Sequence, residues 1–143
     1  MRQEGFFAEV AGAPADAISV VEAAGTAGAD RARIARYLAD GYPVLHVPDA
    51  IVDPLRPDRV AGTSTVLTDG EWVWPHALSY FVREHGVAVA KELVARARAR
   101  AWSVPELSQA ELEAAEEEVI RSQGWVETEF GDDPFGPLEE TGQ

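Results

Sequence analysis

His46 is a candidate general base, although its spacing from the nearby carboxylates does not single it out. It lies in a short apolar run, YPVLHV, and a carboxylate that orients its ring would complete a general-base pair. Asp49 or Asp53 can fill that place from the following proline-rich loop, and Glu71 can support them from further along the chain. On this interpretation His46, Asp53 and Glu71 are catalytic residues of a small enzyme, or line the site of a ligand-binding protein, in a biosynthetic pathway.

The other spacings favour a protein without catalytic or metal-binding residues. The three histidines form no HxH or HExxH motif, and the absence of cysteine excludes disulfides, thiolate metal sites and a cysteine nucleophile. Ser64 and Ser79 lack the surrounding glycines of a nucleophile elbow. Gly25–Gly28 is not followed by the Lys-Ser/Thr pair of a phosphate-binding loop. We therefore expect a binding protein rather than an enzyme, with no metal and no cofactor.

A hairpin at residues 62–75 is the strongest structural signal near these side chains. Two alternating runs meet at Asp69 and Gly70, a dipeptide typical of type I′ turns. Because side chains alternate along a strand, Trp72 and Trp74 should share one face of the ribbon. With a two-residue turn, the predicted pairs are Thr68–Glu71, Leu67–Trp72, Val66–Val73 and Thr65–Trp74.

The shared tryptophan face permits two interpretations. Trp72 and Trp74 can pack under the following helix as part of the core, or they can form an aromatic shelf for a partner or ligand. Tyr80, on a predicted helix at 76–85, can line a groove beside them. An enzyme or ligand-binding protein would have its pocket between the hairpin and that helix.

Short strands and helices account for most of the remaining chain. Further strands are predicted at 5–10 and 42–47, and residues 48–59 should form a loop. Helices are predicted at 14–24, 30–40, 76–85, 87–101 and 108–122. The expected fold is α+β, a small antiparallel sheet around the 63–74 hairpin with about four helices packed on it. Residues 1–124 should form one domain and residues 125–143 a disordered acidic tail, whose aromatic residues can dock elsewhere.

Negative charge is concentrated at the C-terminal end of the sequence. The formal net charge is −13, and residues 106–143 hold 12 of the 25 acidic residues but only one of the 12 basic residues. We expect an acidic helix followed by an acidic tail. This charge disfavours nucleic acids and anionic membranes but permits a basic protein partner, contacted through Glu116, Glu117 and the tail.

Basic residues cluster on the helix that precedes the acidic one. Arg96, Arg98 and Arg100 lie two residues apart, so that only the first and last share a helix face. An antiparallel arrangement of the two helices would neutralise both sets of charges. The acidic residues of such an arrangement are Glu111, Glu113, Glu116, Glu117 and Glu118.

The run TDGEWVWP at 68–75 resembles a pattern found in uncharacterised bacterial proteins. In these proteins a T-D-G-x-W-x-W-P hairpin precedes a helix like LSYFVREH and, after a short Val/Leu linker, a second helix like KELV. The resemblance covers residues 42–101, with Ala90 where the family often has proline. It assigns no catalytic residue. By analogy with small acidic immunity proteins, it implies a toxin as the partner.

Together these features predict a small acidic binding protein that contacts a basic protein partner, and the analogy with immunity proteins implies an immunity-like role. The predicted contact residues are Trp72, Trp74, Tyr80, Glu116 and Glu117. The protein would be a monomer, or a homodimer in which the hairpin edge pairs with its copy. The absence of a signal-like or membrane-length apolar run predicts a cytoplasmic location. The excess of arginine over lysine is typical of a GC-rich bacterial gene.

Overall fold

Strands and helices are largely segregated along the chain, an α+β arrangement as the sequence predicted. The structure, a computed structural model, describes residues 1–11 and 13–122. The predicted acidic tail at 125–143 lies outside the described residues. None of the described helices is both long and apolar enough to cross a membrane.

The described residues form six strands and five helices. The strands are β1 (Arg2–Gln3), β2 (Tyr42–Leu45), β3 (Ala50–Val52), β4 (Val60–Thr63), β5 (Val66–Thr68) and β6 (Trp72–Pro75). The helices are α1 (Val20–Ala23), α2 (Arg31–Ala39), α3 (Leu78–His85), α4 (Lys91–Ala99) and α5 (Gln109–Ser122).

Four of the strands form a mixed sheet in the order β1-β6-β5-β2. β1 runs parallel to β6, whereas the other neighbouring strands are antiparallel. β3 and β4 form a separate antiparallel ribbon. The described part of the chain therefore contains two hairpins, β3–β4 and β5–β6, and only the second was predicted.

The β5–β6 hairpin has a register displaced by two residues from the predicted one. Asp69 N–H donates to the Trp72 carbonyl at 3.3 Å, so the turn residues are Gly70 and Glu71. Gly70 has a φ of 100°, and a glycine at the first turn position suits a type II′ turn rather than the predicted type I′. An even displacement leaves the predicted faces unchanged. The observed pairs are Val66–Pro75, Leu67–Trp74 and Thr68–Val73.

The tryptophan face of this hairpin packs on α2. Trp74 Nε1 donates to the Leu38 carbonyl at 3.0 Å, and the rings of Trp74 and Tyr37 lie 6.2 Å apart. Gly41 follows α2, and a Cβ there would lie 2.7 Å from the Trp74 ring. The glycine thus permits close approach of the two elements.

The other helices bury one apolar stripe each. α3 buries Leu78, Phe81 and Val82, which lie at helical spacing, and packs against α2. α5 packs along β2 and buries Ala115 and Val119. A capping box begins α5, since Ser108 and Glu111 exchange backbone and side-chain hydrogen bonds.

Three predicted elements differ from the structure. Residues 5–10 form no strand, and the N-terminal strand is β1 instead. Only one turn of the predicted 14–24 helix forms, α1, which Ser19 and Glu22 cap reciprocally. The predicted 48–59 loop contains β3. Its prolines, Pro48 and Pro54, favoured a loop because proline is rare within strands, but both lie outside the three residues of β3.

α4 is shorter than the predicted helix at 87–101. It ends in a left-handed turn, in which Ala101 and Trp102 have φ values of 55° and 64°. Trp102 N–H donates back to the Ala97 carbonyl at 2.8 Å, a bond that closes the helix in the way usually associated with glycine. The sequence has no glycine here, so this end was not predicted.

Candidate functional site

The three residues considered as catalytic lie in separate surroundings. His46 is exposed and borders a groove between β2 and α5. Asp53 is buried against α3, whereas Glu71 is exposed and accepts a bond from Arg96 Nη1 at 3.3 Å. Among the described residues, no hydrogen bond joins any two of the three. The structure does not assemble them into a general-base site.

Asp53 instead ties the β3–β4 ribbon to α3. Its Oδ2 accepts the Tyr80 hydroxyl at 2.7 Å and lies 2.7 Å from His85 Nε2. Its Oδ1 accepts the backbone N–H groups of Leu55 and Arg56 at 2.8 and 3.3 Å. Because an ionised carboxylate can only accept, the proton of this imidazole contact lies on His85 Nε2.

These bonds keep Asp53 ionised. Burial alone would raise its pKa, but the hydrogen bonds from His85, Tyr80 and the Leu55 N–H outweigh burial and lower the pKa to about 2. The hydrogen bond to Asp53 in turn raises the pKa of Tyr80. Asp53 is 0% exposed and both of its oxygens are occupied. We conclude that its role is structural, since it offers no accessible oxygen to a substrate.

Asp69 anchors the second hairpin in the same manner. Its Oδ2 accepts the Tyr37 hydroxyl at 2.5 Å and Arg96 Nε at 2.8 Å. Its Oδ1 accepts the N–H groups of Glu71 and Trp72 at 3.0 and 2.8 Å. Burial and the bond to Asp69 raise the pKa of Tyr37, which therefore stays protonated as a donor. The turn explains only half of the hydrogen bonds that this aspartate accepts.

The tryptophan pair belongs to the core. Trp72 is 2% exposed and Trp74 is 0% exposed, so neither presents a surface to a partner. The guanidinium of Arg2 lies 4.2 Å from the centroid of the Trp72 ring. This corrects the interpretation of Trp72 and Trp74 as binding residues. The helix that covers Trp74 is α2 rather than the helix that follows the hairpin.

The Tyr80 side chain likewise makes its contacts mainly within the protein. Its side chain is partly buried, its hydroxyl is committed to Asp53, and its ring contacts Phe81 and His85 edge-on. Arg83 covers the ring at 5.6 Å from its centroid. The predicted groove between Tyr80 and the tryptophan pair therefore has no support from these contacts.

The two remaining predicted contact residues are accessible. Glu116 and Glu117 are exposed on α5, as are Glu111 and Glu113. Among the described residues, no basic side chain forms an ion pair with Glu113, Glu116 or Glu117. We call Glu113, Glu116 and Glu117 the acidic face of α5.

A groove of about 370 Å³ adjoins this acidic face. It lies between β2 and α5, and its lining combines apolar side chains with charged ones. The lining residues are Pro43, Val44, Leu45, His46, Gln109, Leu112, Glu113 and Glu116. His46 thus lines the same groove as Glu113 and Glu116 of α5. Among the described residues it forms no hydrogen bond with Asp49 or Asp53, the aspartates that the sequence suggested.

The predicted neutralisation of α5 by the arginines of α4 is wrong. Arg96 binds the β5–β6 turn through Asp69 and Glu71. Arg98 Nη2 donates to Asp30 Oδ2 at 2.8 Å, beside the start of α2. α4 therefore directs these charges to the hairpin and α2, which leaves the acidic face of α5 without the expected partners.

Sequence reasoning missed the histidine that pairs with Asp53. His85 lies at the helical spacing of Leu78, Phe81 and Val82, a position that predicts a core residue rather than a partner of a carboxylate. Its partner is 32 residues away in the sequence. The only local signal was the combination of Tyr80 and His85 near the end of one helix. That signal does not identify the carboxylate.

Comparisons with protein-family models, with curated proteins and with solved structures find no match to this chain. Function must therefore be argued from the surface that the fold presents.

Proposed function

We propose that this is a non-enzymatic binding protein that takes a basic segment of a partner protein along α5. The observation that carries the proposal is the exposure of Glu113, Glu116 and Glu117 without basic partners among the described residues. Like charges on one helix face repel each other, and a basic partner would replace that repulsion with attraction.

The groove beside α5 suits the shape of basic side chains. Arginine and lysine have apolar stems and a charged end, so their stems can lie against apolar surface while their charge stays accessible. Leu112 and Val44 supply apolar lining, and Glu113 and Glu116 supply carboxylates beside it. α5 is held by buried Ala115 and Val119, so binding requires little ordering of the helix.

The proposed contact surface revises the one predicted from the sequence. It retains Glu116 and Glu117, adds Glu113 and the groove, and omits Trp72 and Trp74. An immunity-like role in a bacterial cytoplasm fits this chemistry, because a toxin that acts on an anionic substrate has a basic surface for an acidic protein to cover.

Affinity capture with matched variants tests the proposal. Wild type, Glu116→Gln/Glu117→Gln, and Asp16→Asn/Asp58→Asn would each be immobilised and exposed to bacterial lysate at low and high salt. The two variants lose the same charge, but only the first changes α5; Asp16 and Asp58 are exposed elsewhere. We expect a basic protein to be retained at low salt by wild type and the control, and lost by the α5 variant. Equal retention by all three proteins would refute a contact through α5.

A further inference from the structure

The β3–β4 ribbon has an edge without a neighbouring strand. In the described part of the chain β3 pairs only with β4, and β4 also contacts α3. The β5–β6 hairpin has no such edge, because β5 pairs with β2 and β6 pairs with β1. A second copy of the chain would have to displace a strand to pair with that hairpin, whereas the edge of β3 is open to it.

Two residues of β3 direct their backbone groups towards this open edge. The Asp49 carbonyl and the Asp53 N–H bond to residues that flank β4, at 3.2 and 2.9 Å. The bulge in the ribbon places its extra residue, Ala61, on β4, so β3 alternates regularly. The backbone groups of Ala50 and Val52 therefore point away from β4. Both residues are exposed, and no hydrogen bond beyond the ribbon reaches either from the described residues.

The outer face of the ribbon is apolar. Ile51 and Asp53 are buried, so Val52, which alternates with them, lies on the outer face. Val52 is 50% exposed and lies opposite Val60, which is 60% exposed. Leu55, in the loop between the two strands, is 41% exposed. The ribbon thus holds three of the five large apolar side chains that are exposed among the described residues, and a contact at its edge would shield part of this surface.

We propose that two copies of this chain form a homodimer by antiparallel pairing of their β3 strands. In this arrangement the two-fold axis passes beside Ile51, and Ala50 of each copy lies opposite Val52 of the other. Each of these two pairs exchanges both of its backbone hydrogen bonds, as in an ordinary antiparallel ladder. The product is a four-stranded sheet in the order β4-β3-β3-β4, and the same surface of both copies is used, so the contact closes on itself.

Prolines at both ends of β3 favour this register over others. Pro48 and Pro54 lie at the same alternation as Ala50 and Val52, and neither has an N–H to donate. A shift of two residues in either direction would place a proline opposite Ala50 or Val52, whose carbonyl would then lack a donor. The prolines also stop the ladder from extending, which limits the contact to the short strand itself.

The two ends of β3 are complementary in charge. Asp49 precedes the strand and Arg56 follows it, and both are exposed. Neither forms an ion pair with any residue that the structure describes. In the dimer Asp49 lies opposite Asp53 of the other copy, and Arg56 N–H donates to the Asp53 carbonyl at 3.1 Å. Asp49 of each copy therefore lies beside Arg56 of the other, which favours a second copy as the occupant of this edge.

Engineered cysteines in the full chain test the strand pairing. Since the chain has no cysteine, Ala50→Cys and Val52→Cys each introduce a single thiol. Residues that exchange two hydrogen bonds have Cα atoms about 5.5 Å apart, which is within reach of a disulfide. Under mild oxidation, a mixture of the two variants should form more linked dimer than either variant alone. Val60→Cys, exposed on the outer strand, is the control and should not link to itself.

Sedimentation velocity over a range of concentrations tests the charge complementarity. Asp49→Arg should lower the association constant roughly tenfold relative to wild type, because two ion pairs are lost and like charges face each other. The exchange Asp49→Arg/Arg56→Asp should restore association. Asp16→Arg, the same change of charge at an exposed residue elsewhere, should not weaken it.

Three results would overturn the proposal. They are a wild-type chain that stays monomeric at every concentration, a mixture of the Ala50→Cys and Val52→Cys variants that links no better than Val60→Cys, and an exchange variant no better associated than Asp49→Arg. None of these measurements involves α5 or a basic partner, so their failure is separable from failure of the proposed function.

Discussion

Two buried aspartates hold the hairpins of this fold to its helices. Asp53 and Asp69 each use one oxygen for two N–H groups of their own turn and the other for a tyrosine and a second side chain. The second side chain is His85 for Asp53 and Arg96 for Asp69. Each carboxylate therefore has four hydrogen bonds, which offset the loss of hydration on burial.

Loss of the charge of Asp69 should destabilise the fold strongly. Asp69→Asn removes the buried carboxylate partner of Arg96 and leaves only the exposed one, Glu71. Breaking a buried pair in this way typically lowers the free energy of unfolding by about 3–5 kcal/mol. Urea denaturation would measure the change. Glu71→Gln is the control, because it removes the exposed partner of the same arginine and should change stability by less than about 1 kcal/mol. Similar values for the two variants would contradict the anchoring role of Asp69.

Asp53 should make stability depend on acid pH. Its pKa is lowered in the folded protein to about 2, from an ordinary value near 4, so the native state favours the ionised form. The resulting stabilisation, on the order of 2 kcal/mol, is complete above pH ~4 and is lost as the pH falls through about 2.

A comparison of wild type with Asp53→Asn isolates this contribution. Urea denaturation at a series of pH values from about 5 down to about 2 would give the free energy of unfolding of each protein. The difference between the two proteins should shrink as the pH falls. A difference that is constant with pH would mean that ionisation of Asp53 does not stabilise the native state.

At the scale of elements, the end of α4 has an unusual sequence for its conformation. A residue at a φ of 55° is normally glycine, but here it is Ala101. Ala101→Gly should raise the free energy of unfolding by about 0.5–1 kcal/mol, as relief of the left-handed strain exceeds the added chain entropy. Ala95→Gly, within the same helix, should instead lower it by about 1 kcal/mol. Thermal or urea denaturation that shows both substitutions destabilising would contradict the left-handed helix end.

Elements with a complete local signal were predictable from the sequence. α3 has apolar residues at helical spacing and a following glycine, and α5 has a capping box. The faces of the β5–β6 hairpin followed from strand alternation. Its register did not, because Asp69 lies just before the two turn residues and its side chain accepts the N–H groups of Glu71 and Trp72. The other partners of that side chain, Tyr37 and Arg96, are distant in the sequence.

The candidate site was less predictable, because it depends on which helix neighbours which. Glu116 and Glu117 are accessible as the charge pattern suggested. The groove beside them requires α5 to lie along β2, and nothing in either segment specifies that neighbour. Burial of Trp74 depends in the same way on α2, whose Leu38 lies 36 residues before it in the sequence.

At the scale of the whole molecule, charge is separated between two surfaces. α5 carries five glutamates and one arginine, while α2 carries three arginines and no acidic residue. Such a distribution favours oriented approach of a charged partner and makes association sensitive to salt. The net charge alone therefore does not describe the surface, because it conceals the separate positive charge on α2.

The central claim is that the acidic face of α5 and its groove bind basic segments. NMR titration of the isotope-labelled full chain with an arginine-rich synthetic peptide tests it most directly. We predict that low-salt shift changes centre on Glu113, Glu116, Glu117 and His46. Glu113→Gln/Glu116→Gln should weaken them, whereas Asp16→Asn/Asp58→Asn should not. Shift changes that leave α5 unaffected, or that spread evenly over all exposed acidic residues, would contradict the claim.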